Sequence, residues 1–423
     1  MGNRKNSNIN FYFFVLYIFI GLAGAQEKTL VQPITDPDVI LYPEPQIDRP
    51  AYLQPLTDPV FKAPVIRITG DAGTPVLDGQ WASIARHHYS KDQPWNADQT
   101  LIRIDRNQSS PNPIYLDGQT YQVLFSKSSP GEDRWHPQNP DVRIYVRDNE
   151  IGLWNIHTDN ITVIKSFKDY TNLKFGPYEG NCSYDGRWIA PLGTRSDGKK
   201  VTFAYDMEAK KKYPDIVLDG YDIDWVSISA LGNYIVVNAT INGKRDNTLV
   251  FDIYGKQMGS IWSEYGRPSH YDLTVDQNGD EVAVGVSKSA PDEGRVIKRR
   301  LSDGTVTVLT KGGYASHTSA RNYNRPGWVY VSFQYRGDKW PPYLDEIVAV
   351  KLDGSMKVER LVHMHTILNG YYTEAHAVPS PDGSRVMWAS NWDNANGPVN
   401  SYVVDWRPAI SAPENIQIKP TER

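Results

Sequence analysis

Seven times along this chain a turn rich in Gly, Asn and Asp is followed at once by a short apolar strand. Asn96-Ala97-Asp98-Gln99 leads into Leu101-Ile102-Arg103-Ile104, Tyr184-Asp185-Gly186 into Trp188-Ile189-Ala190, and Pro381-Asp382-Gly383 into Val386-Met387-Trp388. Anchored on Gln99, Asp141, Gly186, Gly232, Gly279, Gly327 and Gly383, the copies are spaced by 42, 45, 46, 47, 48 and 56 residues. A repeat of roughly 40–50 residues made of short strands, with no amphipathic helical run between them, predicts a β-propeller with one copy per blade. The expectation is an all-β chain whose single domain, residues 63–407, is a seven-bladed β-propeller. Such a ring must close on itself. Val65-Ile66-Arg67-Ile68 is the strand expected to do so, by joining the C-terminal blade at residues 401–406.

The ends of the chain carry other signals. Arg4 and Lys5 precede an apolar run from Phe11 to Leu22, and Ala23-Gly24-Ala25 offers small residues before Gln26. This is the pattern of a secretory signal peptide over residues 1–25. The run is shorter than the ~20 apolar residues that span a bilayer. The expected location is secreted or periplasmic, with no membrane association once the leader is removed. Residues 26–62 are proline-rich and aperiodic and read as an extended segment, and residues 408–423 read as a polar tail. The one cysteine, Cys182, has no partner for an internal disulfide, so the core must hold the fold. Net charge is −4, from 45 basic and 49 acidic residues, which argues against nucleic-acid binding. The chain is expected to be a monomer.

The repeat also serves as a ruler. The innermost strand of a blade lines the central channel, and its residues lie upstream of each anchor. Six of the nine histidines, His87, His88, His136, His270, His317 and His376, fall no more than 12 residues before an anchor. They are joined by Tyr89, Asn181, Trp225 and Tyr271 as candidates for holding a substrate at the channel mouth, with Trp95 and Asn96 placed to stack on and hydrogen-bond a sugar. Each histidine has two readings: a chemical group at the mouth, or a hydrogen-bonding tie between blades. His363 and His365 alternate on a strand and share one face, as half a metal site would. Tyr178 and Arg195 add an acid and a cation. With a histidine base they suit abstraction of the C5 proton of a uronic acid, where arginine offsets the carboxylate and tyrosine or histidine moves protons.

The segments His88-Tyr89-Ser90-Lys91-Asp92-Gln93-Pro94-Trp95-Asn96-Ala97-Asp98, Tyr178-Glu179-Gly180-Asn181-Cys182-Ser183-Tyr184-Asp185-Gly186-Arg187 and Ala375-His376-Ala377-Val378-Pro379-Ser380-Pro381-Asp382-Gly383 resemble those of secreted propeller polysaccharide lyases. The nearer likeness is to the ulvan lyases and the more distant one to the oligogalacturonate lyases. The resemblance implies a lyase that cleaves a uronic-acid-containing, ulvan-like and sulfated polysaccharide by β-elimination, with His88, Tyr178 and Arg195 as catalytic residues. Where the ulvan lyases carry a second histidine, the stretch Asp105-Arg106-Asn107-Gln108 has none, and His136 is the substitute in the next blade. Likeness to the oligogalacturonate lyases implies a divalent metal (Ca, Mn or Zn) on His270, His317 and His376. The implied partner is an anionic polysaccharide. The alternative is a non-catalytic propeller that binds glycan or protein in the cell envelope.

Overall fold

A single kind of turn generates the repeat. The computed structural model describes residues 32–35, 41–334 and 341–407. In it Gln99, Gly186, Gly232, Gly279 and Gly383 each donate their backbone N–H to the carbonyl three residues earlier. All five have φ between +62° and +79°. That left-handed backbone explains why glycine recurs there. At Gly186 there is a second reason, since a Cβ would collide with the His136 ring. Each turn folds the first strand of a unit back into the second, and alternating apolar residues do the rest.

The sheets follow one another along the chain and are antiparallel, save for one parallel pairing in the last. Leu101–Ile104, Ile114–Asp117 and Val123–Ser126 form one, extended inward by a bridge from Trp95 to Ile102. Glu132–Trp135, Val142–Arg147, Glu150–Asn155 and Ile161–Ser166 form the next. The region 170–217 is split into two smaller sheets. Then come the sheets of Asp222–Ile228 with Tyr234–Ile241 and Lys244–Asp252, and of Pro268–Val275 with Glu281–Ser287, Val296–Arg300 and Val306–Val308. His317–Ser319, Trp328–Phe333, Glu346–Lys351 and Val358–His363 make the sixth unit. Among the described residues the one helical element is a 3-10 turn at Tyr371–Thr373, and no helix is long and apolar enough to cross a membrane.

The last sheet contains both ends of the domain. Pro64–Arg67 pairs antiparallel with Val399–Asp405, which pairs in turn with Arg385–Ser390. The expected pairing of this strand with the C-terminal one is present, with Val65 opposite Val404. Pro55–Thr57, expected within an irregular segment, is instead an outer strand paired with Pro64–Arg67. The turn at residues 58–63, in which the Asp58 carboxylate accepts from the backbone of Val60 and Phe61, folds it back. The expected signal segment 1–25 and the tail 408–423 lie outside the described residues.

Apolar side chains fill the spaces between successive sheets. Val282, Val284 and Val286 meet Val329, Val331, Val348 and Val350 in one such layer. Ile68, Ala85, Trp95, Ile102, Met387 and Val403 form another, between the last sheet and the first. Buried ion pairs add polar ties. Asp133 lies between Arg103, at 2.7 Å, and Arg143, all three buried. Burial pushes the Asp133 carboxyl up, but the two guanidiniums outweigh that and hold it below the usual range.

Asp133→Asn would leave the buried Arg143 guanidinium without a counter-charge, while Arg103 keeps Asp105 at 2.8 Å, at a cost of about 3–5 kcal/mol. We expect the denaturant midpoint to fall with little change in slope. Because the folded pKa is depressed, the stabilisation is present above the unfolded pKa of ~3.9 and is lost as pH drops below it. The gap between wild type and variant should therefore close only in strong acid.

Candidate active site

One end of the innermost strands gathers the polar residues. Ile84–Arg86 pairs in parallel with Val399–Asp405, and the residues that follow, 87–92, run on past Glu374 and His376. Arg86 is fully buried. It donates to the carbonyls of Tyr372 at 2.7 Å and Glu374 at 2.8 Å, and its Nη2 lies 2.6 Å from His376 Nδ1. Burial, reinforced by neighbouring Arg106, pulls its pKa down to about 10. His87 lies behind, and its Nε2 donates to the His376 carbonyl at 2.7 Å. Burial drops its pKa to about 3, so it stays neutral.

In front of this layer stand three more side chains. His376 Nε2 is 3.1 Å and His317 Nε2 is 3.5 Å from the same Glu374 oxygen. The ligand atoms of His317, Glu374 and His376 all lie within 4.8 Å of one another. His270 stacks on His317 with parallel rings 4.5 Å apart. Its Nδ1 donates to the Ser316 carbonyl at 2.6 Å, so Nε2 carries the lone pair. Burial lowers its pKa and favours that neutral form. Tyr89 presses its ring edge-on against His376 and His317.

Two β-bulges aim the wall residues. The register of Pro268–Val275 slips between Ser269 and Asp272, which brackets His270, and His270 has φ +45°. The register of Asp222–Ile228 slips between Ile223 and Trp225, which brackets Asp224. A bulge re-aims a side chain that strict alternation would send elsewhere. Both residues line a cavity of about 540 Å³ together with Tyr89, Trp225, His317 and Glu374. Glu179, Asp222, Asp224, Asp246 and Glu374 supply carboxylates to this cavity, against one arginine, Arg245. Lys91 lies below, 2.5 Å from Glu179 and 3.8 Å above the Trp225 ring. Burial and the nearby Glu179 raise the Asp224 carboxyl.

Two imidazoles and one carboxylate suit Mn²⁺ or Zn²⁺, and the carboxylate-lined cavity favours a cation. The fit carries one condition. With Arg86 on Nδ1, the His376 proton sits on Nε2. A cation on Nε2 demands the other tautomer, so the Arg86 contact to Nδ1 must be given up, leaving Arg86 the carbonyls of His87, Tyr372 and Glu374.

His270, His317 and His376 thus meet at one place, with Tyr89 and Trp225 beside them. Asn181 lies deeper and donates to the Lys91 carbonyl. His88, held by Asp92 at 3.1 Å, and the exposed Tyr178 line an adjoining pocket of about 360 Å³. Five expectations are corrected. Arg195 lines neither cavity, because it pairs with Asp197 and Asp215 on the sheet that begins at Tyr170–Lys174. His136 accepts the N–H groups of Gln138 and Asn139 and packs under the Gly186 turn, at the opposite end of its strand. Trp95 has 0 % exposure and belongs to the core. Asn96 ties its own turn, accepting from Leu101 N–H and donating to Thr100 and Pro140. Tyr271 is fully buried, accepting at its hydroxyl from Thr248. Glu374 was missed as a ligand. Its signal was the spacing Glu374-Ala375-His376, which puts both side chains on one face of an extended chain.

No family model and no curated protein matches this sequence. Solved structures do. An oligogalacturonate lyase in complex with manganese superposes with a TM-score of 0.58 at 14% identity, covering 86% of this chain and 96% of that one. An oligogalacturonate lyase from Vibrio parahaemolyticus gives 0.54 at 12%, covering 83% and 96%. At such identity the likeness establishes the fold, which is all-β and propeller-like.

Glu374→Gln or His317→Ala should abolish Mn²⁺ binding measured by calorimetry. His136→Ala should leave it intact while lowering stability by no more than about 1 kcal/mol, since the two N–H groups that lose their acceptor lie at the exposed Gln138 and Asn139 and water can replace it.

Proposed function

We propose that the chain is a lyase that cleaves uronic-acid-containing oligosaccharides by β-elimination, built on a closed ring of seven blades. The ring is supported by the pairing of Val65 with Val404 and by the apolar layer that joins the last sheet to the first. The single observation that carries the activity is His270, neutral and oriented by the Ser316 carbonyl, stacked on the His317–Glu374–His376 donor set. The similar solved structures are oligogalacturonate lyases, one of them with manganese. A divalent cation on that set, when bound, supplies a Lewis acid that offsets a uronate carboxylate.

His270 Nε2 takes the C5 proton. The electron pair left behind forms the C4–C5 double bond as the C4–O4 bond breaks. Asp224, kept protonated to higher pH by burial and by Glu179, returns a proton to the departing oxygen. Tyr89 fixes the His317 and His376 rings, and Trp225 closes the floor. His88, Tyr178 and Arg195 are not assembled into one site, which favours oligogalacturonate-type chemistry over the ulvan type. The leader pattern supports export and action outside the cytoplasm.

The test is incubation with oligogalacturonates, polygalacturonate and ulvan in Mn²⁺ or in chelator, following absorbance of the unsaturated uronide. Product is expected from oligogalacturonates with Mn²⁺, is lost in chelator, and falls by about 10²–10⁴ in His270→Ala. No product from any uronic substrate with Mn²⁺ present overturns the reading. Glycan binding retained without turnover would make the protein a binding module.

A further inference from the structure

Two arginines face each other across a strand pair at the channel mouth. Arg86 on Ile84–Arg86 stands directly opposite Arg106 on Arg106–Asn107. Like charges in that position repel, and among the described residues neither has a carboxylate in ion-pair contact. Arg86 spends its donors on carbonyls and on His376. Arg106 makes no side-chain hydrogen bond there at all, and its Nε is buried without a partner. Its guanidinium lies 5.9 Å from the Tyr372 ring.

Arg106 borders the pocket of about 360 Å³ that also holds His88, Tyr178 and Tyr372. This pocket and the larger cavity share Tyr89, Glu179, Asp224 and Tyr371 as a common wall. A chain of sugars with one residue at His270 has its neighbour's anionic group within reach of that wall. Tyr178 and Tyr371 are both exposed large aromatics, which present faces for a sugar ring.

We propose that Arg106 is the anion-recognising residue of a second sugar subsite, taking the carboxylate or sulfate ester of the residue next to the one at His270. The proposal rests on the lyase reading for the place of the first sugar. It makes the substrate a polyanion of at least two charged residues. The planar fork of Arg106 donates bidentately to such a group, and the bound anion offsets the repulsion between Arg86 and Arg106.

Calorimetry in MnCl₂ tests it with three probes: trigalacturonate, its fully methyl-esterified form, and a sulfated neutral oligosaccharide. Wild type is expected to bind trigalacturonate, with Arg106→Gln weakening it roughly tenfold or more and flattening its salt dependence. Arg106→Lys should fall between them, and the ester should bind both proteins equally. Binding of the sulfated probe with the same dependence on Arg106 would assign sulfate as an alternative ligand. Unaltered trigalacturonate affinity in Arg106→Gln, or no binding of either acidic probe to wild type, overturns the proposal. Arg106-dependent binding without product leaves the proposal standing and the lyase reading fallen. Product formation with unchanged KM in Arg106→Gln does the reverse. A thermal midpoint for each variant confirms that the fold is kept.

Discussion

The pairing of Pro64–Arg67 with Val399–Asp405 is the constraint on which everything else depends. It brings residues more than 300 positions apart into one sheet, and antiparallel hydrogen bonds fix their register. Ile84–Arg86 then joins the same strand in parallel, which brings Arg86 to the Tyr372 and Glu374 carbonyls. Arg86 arrives under the Tyr371–Glu374 segment for that reason, and its bonds to the Tyr372 and Glu374 carbonyls hold Glu374 and His376 at one spacing. The candidate metal ligands are thus set by the same pairing that joins the ends of the domain.

Charge is distributed in two layers. Between the sheets, buried arginines meet carboxylates one to one or two to one: Arg321 with Asp272, Arg325 with Glu359, and Arg103 and Arg143 with Asp133. A buried charge is tolerated when paired. At the mouth the rule is broken twice. Carboxylates outnumber cations in the larger cavity, and Arg86 and Arg106 face one another without a carboxylate. Sites where local pairing fails are where a fold uses energy on ligands.

Much of this was legible from the repeat. The turns at Gly186, Gly232, Gly279 and Gly383 are literal in the sequence because only a left-handed residue closes them. Counting back from Gly279, Gly327 and Gly383 found His270, His317 and His376, which lie 7 to 10 residues before their anchors. The same count failed for His136, five residues before Asp141. At ~3.3 Å per residue, such a difference moves a side chain from one end of the strand to the other. It failed for Trp95 and Tyr271 for another reason. Both point into a layer between sheets, and a one-residue change of face is invisible without the register. Bulges at His270 and Asp224 shift that register, and no spacing rule in one sequence reports a bulge.

The bulges also bear on how His270 is aimed. An inner strand in regular alternation shows the channel one side chain in two, at a fixed spacing, and packs the rest. The slip between Ser269 and Asp272 turns the backbone at His270 into the left-handed region, which costs on the order of 1–3 kcal/mol at a non-glycine residue. His376 bears the same strain, with φ also +45°. The two strained histidines flank His317, which sits on a strand of ordinary register opposite Ser332. Packing alone does not require three imidazoles in contact, and buried neutral imidazoles contribute less than apolar residues of equal size would. The fold holds that strain and that desolvation at one point, and it holds them at the wall of the larger cavity.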